Sequence, residues 1–350
     1  MSKRHNVSSK IFIGFFVCFV LALLLYLFQS FLLNILIAAL LAVATSNINV
    51  KILQITNGKK TLSAGLTTIV LLFLFVAPSL YAIASIVKYA TNFNADTINS
   101  TIEYIKNYHF SLPVSFSFLE PSVDEFLGSL DFNKIITNAI SSITGIGKLS
   151  AKFLTDMIFV LVFFFFAMLY GGELVKYLKD ALPMQKEDSE FILSEVANVM
   201  SVVFYSIIIN MILQGFLFSL VTMYYGYDGI LTGILFAFTS LIPVVGGMLS
   251  WVPISLHQFA SGDSFGAVVI AVYSVIVISI VADTFLKPLV IKFINSRLVK
   301  KPAKINELLI FFAMIAGITT FGFWGIILGP AIVTLFISTI RLYVLLRDRI

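Results

Sequence analysis

The stretch F-A-F-T-S-L-I-P-V-V-G-G-M-L-S-W-V-P-I-S-L, Phe236 to Leu256, lies in sequence that carries no charge from Gly229 to Gly262. An unbroken helix through Pro243, Gly246, Gly247 and Pro253 is disfavoured, because each proline removes a backbone donor and clashes with the preceding turn, and the glycine pair weakens what remains. In hydrocarbon the freed N–H and C=O groups have no water to turn to, so such a break survives only against protein or a watery cavity. The stretch is therefore a candidate pore or substrate-site element. A kinked span that only packs against its neighbours is the alternative, since glycine and proline are common in membrane helices.

The surrounding chain has the composition of a membrane protein. Of 350 residues, 59% are hydrophobic, 12% are charged and 35 are Phe, and the mean hydropathy of +1.01 lies outside the range of soluble globular domains. Charge-free runs fall at Ile11–Val50, Thr61–Val87, Met157–Gly172, Val196–Tyr227, Gly229–Gly262, Ser264–Ala282 and Leu308–Ile340, and most reach the ~20 residues a membrane helix needs. The expected fold class is all-α: a polytopic helical membrane protein of about eight membrane segments, some of them broken or re-entrant hairpins, plus a helical extramembrane insert. The net charge of +5 comes from basic residues beside the apolar runs, where they set orientation, so nucleic acid is excluded as a partner. One cysteine, Cys18, and three scattered histidines, His5, His109 and His257, leave no disulfide and no metal site. With no nucleophile and base pair in any run, no catalytic residue and no cofactor is expected, and the enzyme class falls away.

Three parts follow in order: N-terminal membrane segments (1–87), an extramembrane insert (88–153) and a C-terminal transport core (154–350) with broken hairpins at 229–262 and 308–340. Lys3, Arg4 and Lys10 precede an apolar run that continues past Gln29 and Ser30 without a small-residue cleavage pattern, so it reads as a first span. Ile11–Phe28 and Phe31–Ala44 then form a hairpin whose basic flanks, Lys51, Lys59 and Lys60 among them, lie in the cytoplasm. Asn57-Gly58-Lys59-Lys60-Thr61 is a basic turn and not a phosphate loop, because Leu53 stands where the first glycine of that motif belongs. Thr61–Val87 crosses outward with a kink at Pro78. In the insert, Ile98, Ile102 and Ile105 share one helical face and Ile136, Ile140 and Ile143 another, with Pro113 and Pro121 between them. Met157–Gly172 crosses back, short amphipathic pieces fill 171–199 around Pro183, and Met200–Tyr224 carries Ser206, Asn210 and Gln214 on one face. Those three either line a path for a polar solute or bond between helices.

After Ser264–Ala282, Asp283 and Lys287 stand four residues apart, acid first, as an ion pair or an ion-coupling gate. Six basic residues at 287, 292, 297, 300, 301 and 304 then precede the first acid, Glu307, a strong cytoplasmic signal. The second broken stretch, G-I-T-T-F-G-F-W-G-I-I-L-G-P, contains Gly317, Gly322, Gly325, Gly329 and Pro330 between Lys304 and Arg341, and so should enter and leave from the cytoplasm. Alternation from the N-terminus puts 172–199 on that side too, yet three apolar runs separate it from 287–306. An odd number of full crossings cannot join two segments on one side. The economical solution is that Gly229–Gly262 dips in from outside and returns, mirroring the second hairpin, as in transporters that build a substrate site from opposed broken helices.

The string L-I-P-V-V-G-G with Pro253, then Asp283 with Lys287-Pro288, then F-G-F-W-G-I-I-L-G-P, resembles the autoinducer-2 exporter family of bacterial inner-membrane permeases over nearly the whole chain. That resemblance implies a bacterial inner-membrane location, export of a small polar molecule such as a furanone-type quorum-sensing signal, and a homo-oligomer, while the basic flanks place both termini of this multi-pass chain in the cytoplasm and its apolar runs in membrane lipid. It also implies, for some members, sodium or potassium exchange against protons. A solute exporter calls for an uncharged lined path and an antiporter for an ionisable residue well inside the membrane. Asp156, Asp228 and Asp283 all stand at ends of apolar runs, which favours the exporter. A membrane scaffold without transport is the third class, and it leaves both hairpins unexplained.

Overall fold

The computed structural model of the chain describes residues 2–91, 132–181, 186–242, 245–286, 289 and 307–347. Every regular element among them is a helix, the structure in which a segment satisfies its own backbone inside lipid. In chain order these are α1 (Ser2–Leu27), α2 (Leu32–Ile55), α3 (Lys60–Leu71), α4 (Ala77–Thr91), α5 (Phe132–Ala181), α6 (Lys186–Tyr224), α7 (Gly229–Thr239), α8 (Gly246–Ala260), α9 (Ser264–Tyr273), α10 (Glu307–Phe321) and α11 (Gly325–Arg347). Leu32–Ile55, Lys60–Lys88, Ala151–Tyr177, Glu187–Tyr224, Ser264–Ala282 and Leu308–Arg341 are long and apolar enough to cross a membrane. The expected class, a polytopic helical membrane protein, is borne out.

Between α2 and α3, Asn57 and Gly58 take φ values of 53° and 78°, the left-handed region that a short polar side chain or none tolerates. The basic string is thus a tight turn. At Pro78 the missing N–H is absorbed by one wide turn of π-helix, Leu72–Val76, which joins α3 to α4. A longer π segment, Ser274–Leu286, continues α9 and contains Asp283.

Two expectations are corrected. The short pieces read into 171–199 are instead the ends of long helices: α5 runs to Ala181 and α6 starts at Lys186, roughly 75 and 58 Å of helix, with Lys179 Nζ of one 3.2 Å from Glu190 Oε1 of the other. A helix leaving the bilayer keeps its own hydrogen bonds, so the change in composition marks a membrane boundary and not a helix end. The hairpin expected from 11–44 is a helix, turn and helix whose arms do not pack: α1 makes at most marginal contact with the rest, and its side chains from Phe12 to Leu27 are exposed. Of the insert, residues 92–131, including Ile98, Ile102, Ile105, Pro113 and Pro121, lie outside the described set. So do the side chains of Ile136, Ile140 and Ile143 within α5.

The main core gathers around α6. Met200 and Phe204 pack with Ile37 and Leu41 of α2, Met157 and Phe164 of α5, and Leu328 of α11. Lipid tails are as apolar as these side chains, so close fit and dispersion hold the helices together, with no hydrophobic drive between them. Further along α6, Phe218 and Val221 pack with Phe236 of α7 and with Ile270 and Ile278.

Candidate functional site

Both broken stretches fold back on themselves. In the first, Asp228 caps α7 by accepting the Leu231 N–H at 3.0 Å. The 11 residues of α7 extend only ~16 Å, about half of a ~30 Å hydrocarbon core. The chain then reverses, and α8 packs back along α7: Thr239 Oγ1 lies 2.7 Å from Ser250 Oγ, and a Cβ on Gly246 would collide with the Thr239 carbonyl. Pro243 lies outside the described residues, while Pro253 sits exposed inside α8. In the second stretch the turn at Gly322, φ 62°, separates α10 from α11. Cβ atoms added to Gly317 or Gly325 would strike each other's backbone, and one on Gly329 would strike the Ala313 carbonyl. Composition makes Leu308–Arg341 one span, whereas the structure makes it two antiparallel arms pressed together by glycines.

The hairpins approach the middle of α6 from its opposite ends. At the far end of α6 the Thr222 and Thr232 hydroxyls lie 2.6 Å apart, and Gly215 meets Gly233 so closely that a Cβ on either would come within 2.9 Å of the other's carbonyl; this fixes α7 antiparallel on α6. At the near end Arg341 Nη1 lies 2.9 Å from Glu195 Oε1, which fixes α11 antiparallel on the other half. The tips meet at Met211. There Leu241 from the first hairpin and Ile326 from the second are buried together with Met211, with Phe75, Ile207, Phe238, Ile318 and Phe323 around them. The Phe238 and Phe323 ring centroids are 6.4 Å apart.

Beside this junction lies a cavity of about 40 Å³ bordered by Phe75, Phe204, Ile207, Leu241, Phe323 and Trp324 among others, all apolar. It has room for a few water molecules at most. Ser206, Asn210 and Gln214 are not on its wall. Gln214 is buried, and the Ser206 Oγ and Asn210 Oδ1 atoms are buried without a hydrogen-bond partner, while Ile207 and Met211 of the same helix face the tips. Asp283 falls in the π segment, but its side chain and all of Lys287 lie outside the described residues. Gly325, Gly329 and Pro330 are buried along the α10–α11 seam.

The aromatic lining was not singled out in the sequence, although a signal was present: F-A-F-T precedes the first break and F-G-F-W spans the second. A polar clamp at the base of the first hairpin was also missed. Gln258 Nε2 donates to Asp263 Oδ2 at 2.7 Å, so its Oε1 accepts from Tyr227 at 3.0 Å, and the Tyr227 oxygen accepts from His257 Nδ1–H at 2.8 Å. The Gly266 N–H, donated to Asp263 Oδ1 at 2.8 Å, and then Gln258 hold the Asp263 carboxyl below its usual range. Burial, and then the charge of Asp263, push the Tyr227 phenol up. Among the described residues no three His, Cys, Asp or Glu side chains are placed to hold a metal ion.

The profile described as "AI-2E family transporter" matches residues 13–345. A Helicobacter pylori (strain J99) protein named "Putative transport protein" is 35% identical over 320 residues, covering 91% of each chain. An Aquifex aeolicus protein of the same name is 26% identical, covering 71% of this chain and 69% of the relative. The chain is a multi-pass membrane transporter and belongs to the AI-2E transporter family.

Proposed function

We propose that the chain exports a small, uncharged polar organic molecule of the autoinducer-2 class across the bacterial inner membrane, and that the two hairpin tips are its gate. The observation that carries this reading is the junction at Met211, where two broken hairpins entering from opposite ends of α6 close on each other through Phe238, Leu241, Phe323 and Ile326. Neither tip presents a charged side chain among its described residues, which suits an organic solute better than a bare ion. Alternating access follows if either hairpin swings from the junction while the other stays packed. Both termini lie in the cytoplasm in this reading, and the functional unit is a homo-oligomer. The test is efflux of a labelled furanone-type solute from liposomes holding the purified chain: saturable flux supports the reading, and flux no greater than in empty liposomes refutes it.

Exchange of sodium or potassium for protons is the second reading, favoured by one observation. Asp156, the sixth residue of a candidate span, accepts from the buried Asn34 of α2, Nδ2 to Oδ1, at 3.3 Å. If it couples ions, Asp156→Asn abolishes gradient dependence while the protein still inserts.

A further inference from the structure

A second recess opens on the outside of the first hairpin, away from the tip cavity. It is a groove of about 320 Å³ whose floor is the α6–α7 seam at Ser219, Gly233 and Ala237, and whose wall is Phe73 and Pro78 of the α3–α4 rod. From Gly229 to Phe238 it follows α7 for roughly 14 Å, close to the depth of one leaflet of a ~30 Å hydrocarbon core. Its lining is nearly all apolar and ends at Gly229 and Ile230, the two residues that follow Asp228 in the chain. That carboxylate accepts from the Tyr81 hydroxyl at 3.1 Å and from the Leu231 N–H at 3.0 Å. No ammonium or guanidinium group pairs with it among the described residues. An apolar slot one leaflet deep with an anion at its mouth is complementary to one amphiphile: an acyl chain carrying a cationic head.

We infer that this groove binds one acyl chain of a phospholipid whose primary ammonium headgroup pairs with Asp228 and Tyr81. The inner end of the slot is formed by Met211 and Phe238, which also belong to the layer that packs on Phe323. The chain's methyl end therefore presses on the side of the tip junction remote from the cavity, and an occupied slot holds the first hairpin in place. This assignment stands whatever solute is transported.

Delipidated full-length protein in mixed micelles, titrated with phosphatidylethanolamine or phosphatidylglycerol of identical acyl chains and followed by native mass spectrometry, provides the test. The ethanolamine lipid should be retained about fivefold more tightly, the size of one interfacial charge contact. Asp228→Asn keeps the helix cap, since asparagine caps as well as aspartate, and should remove the preference without weakening retention of phosphatidylglycerol. Ile230→Trp, at an exposed lining position, should weaken retention of both lipids by filling the slot. Equal retention of the two lipids by the unaltered chain, or a preference that survives Asp228→Asn, overturns the assignment. So does retention unaffected by Ile230→Trp, or a groove closed by a second copy of the chain with no lipid bound.

Discussion

Single residues decide how closely the hairpin arms approach. Gly317 and Gly325 face each other backbone to backbone, so Gly317→Val should push the arms apart and cost about 1–3 kcal/mol, the range for overpacking. Gly171→Ala, where an added Cβ meets nothing within 4 Å, is the matched control and should be neutral or slightly stabilising; thermal unfolding in detergent separates the two. Asn210 offers a different contrast. Its Oδ1 is buried without a partner, so Asn210→Leu should raise stability by about 1 kcal/mol or more by removing an unmet acceptor. A stabilised variant that has lost transport would mark the position as functional, and one with full flux would leave it as packing. At the hairpin base, Asp263 has its carboxyl lowered by the Gly266 N–H and then by Gln258. A lowered native value means that the contribution of Asp263 is fully present above the unfolded carboxylate range and fades as pH falls through the native value. The acid limb of unfolding should therefore be less steep in Asp263→Asn than in the unaltered chain, with no difference in steepness near neutral pH. These positions were unevenly legible in the sequence. The glycines and prolines announced themselves, because a break in an apolar run is a local property. Which face of α6 meets the tips did not, because Ile207 and Met211 look like any lipid-facing residues until a second hairpin is set against them.

Among the elements, the hairpin arms α7, α8 and α10, of 11, 15 and 15 residues, are shorter than ordinary spans. The Phe238 and Phe323 rings close the contact between their tips. Truncating one, as in Phe323→Ala, should therefore open a leak: efflux of a small solute that no longer saturates, with Phe238→Ala giving the same phenotype. Unchanged, saturable flux in both would remove the rings from the gate. Glycine and proline breaks together with the basic flanks pointed to the hairpins in the sequence. They did not expose the true length of α5 and α6. A helix that passes from lipid into water changes its composition but not its hydrogen bonding, so polar sequence at 171–199 imitates a loop. Nor did they show that α1 stands apart from the bundle, because an apolar helix looks the same whether protein or lipid covers it.

At the level of the whole molecule, one long helix, α6, serves as the common rail on which two hairpins run toward each other. The order of elements and the basic flanks raised the expectation of opposed hairpins, through the requirement that two segments on one side of the membrane be joined by an even number of crossings. The contact itself, and the groove behind it, depend on three-dimensional register that no linear pattern carries. The central claim is that the hairpins enter from opposite membrane faces, and cysteine accessibility tests it most directly. In a Cys18→Ser background, Ser261→Cys at the exposed base of the first hairpin and Tyr343→Cys at the exposed end of the second are each reacted with a membrane-impermeant thiol reagent. Position 261 should be labelled in intact cells and position 343 only in inside-out vesicles; labelling of both from the same side would contradict the opposed-hairpin architecture.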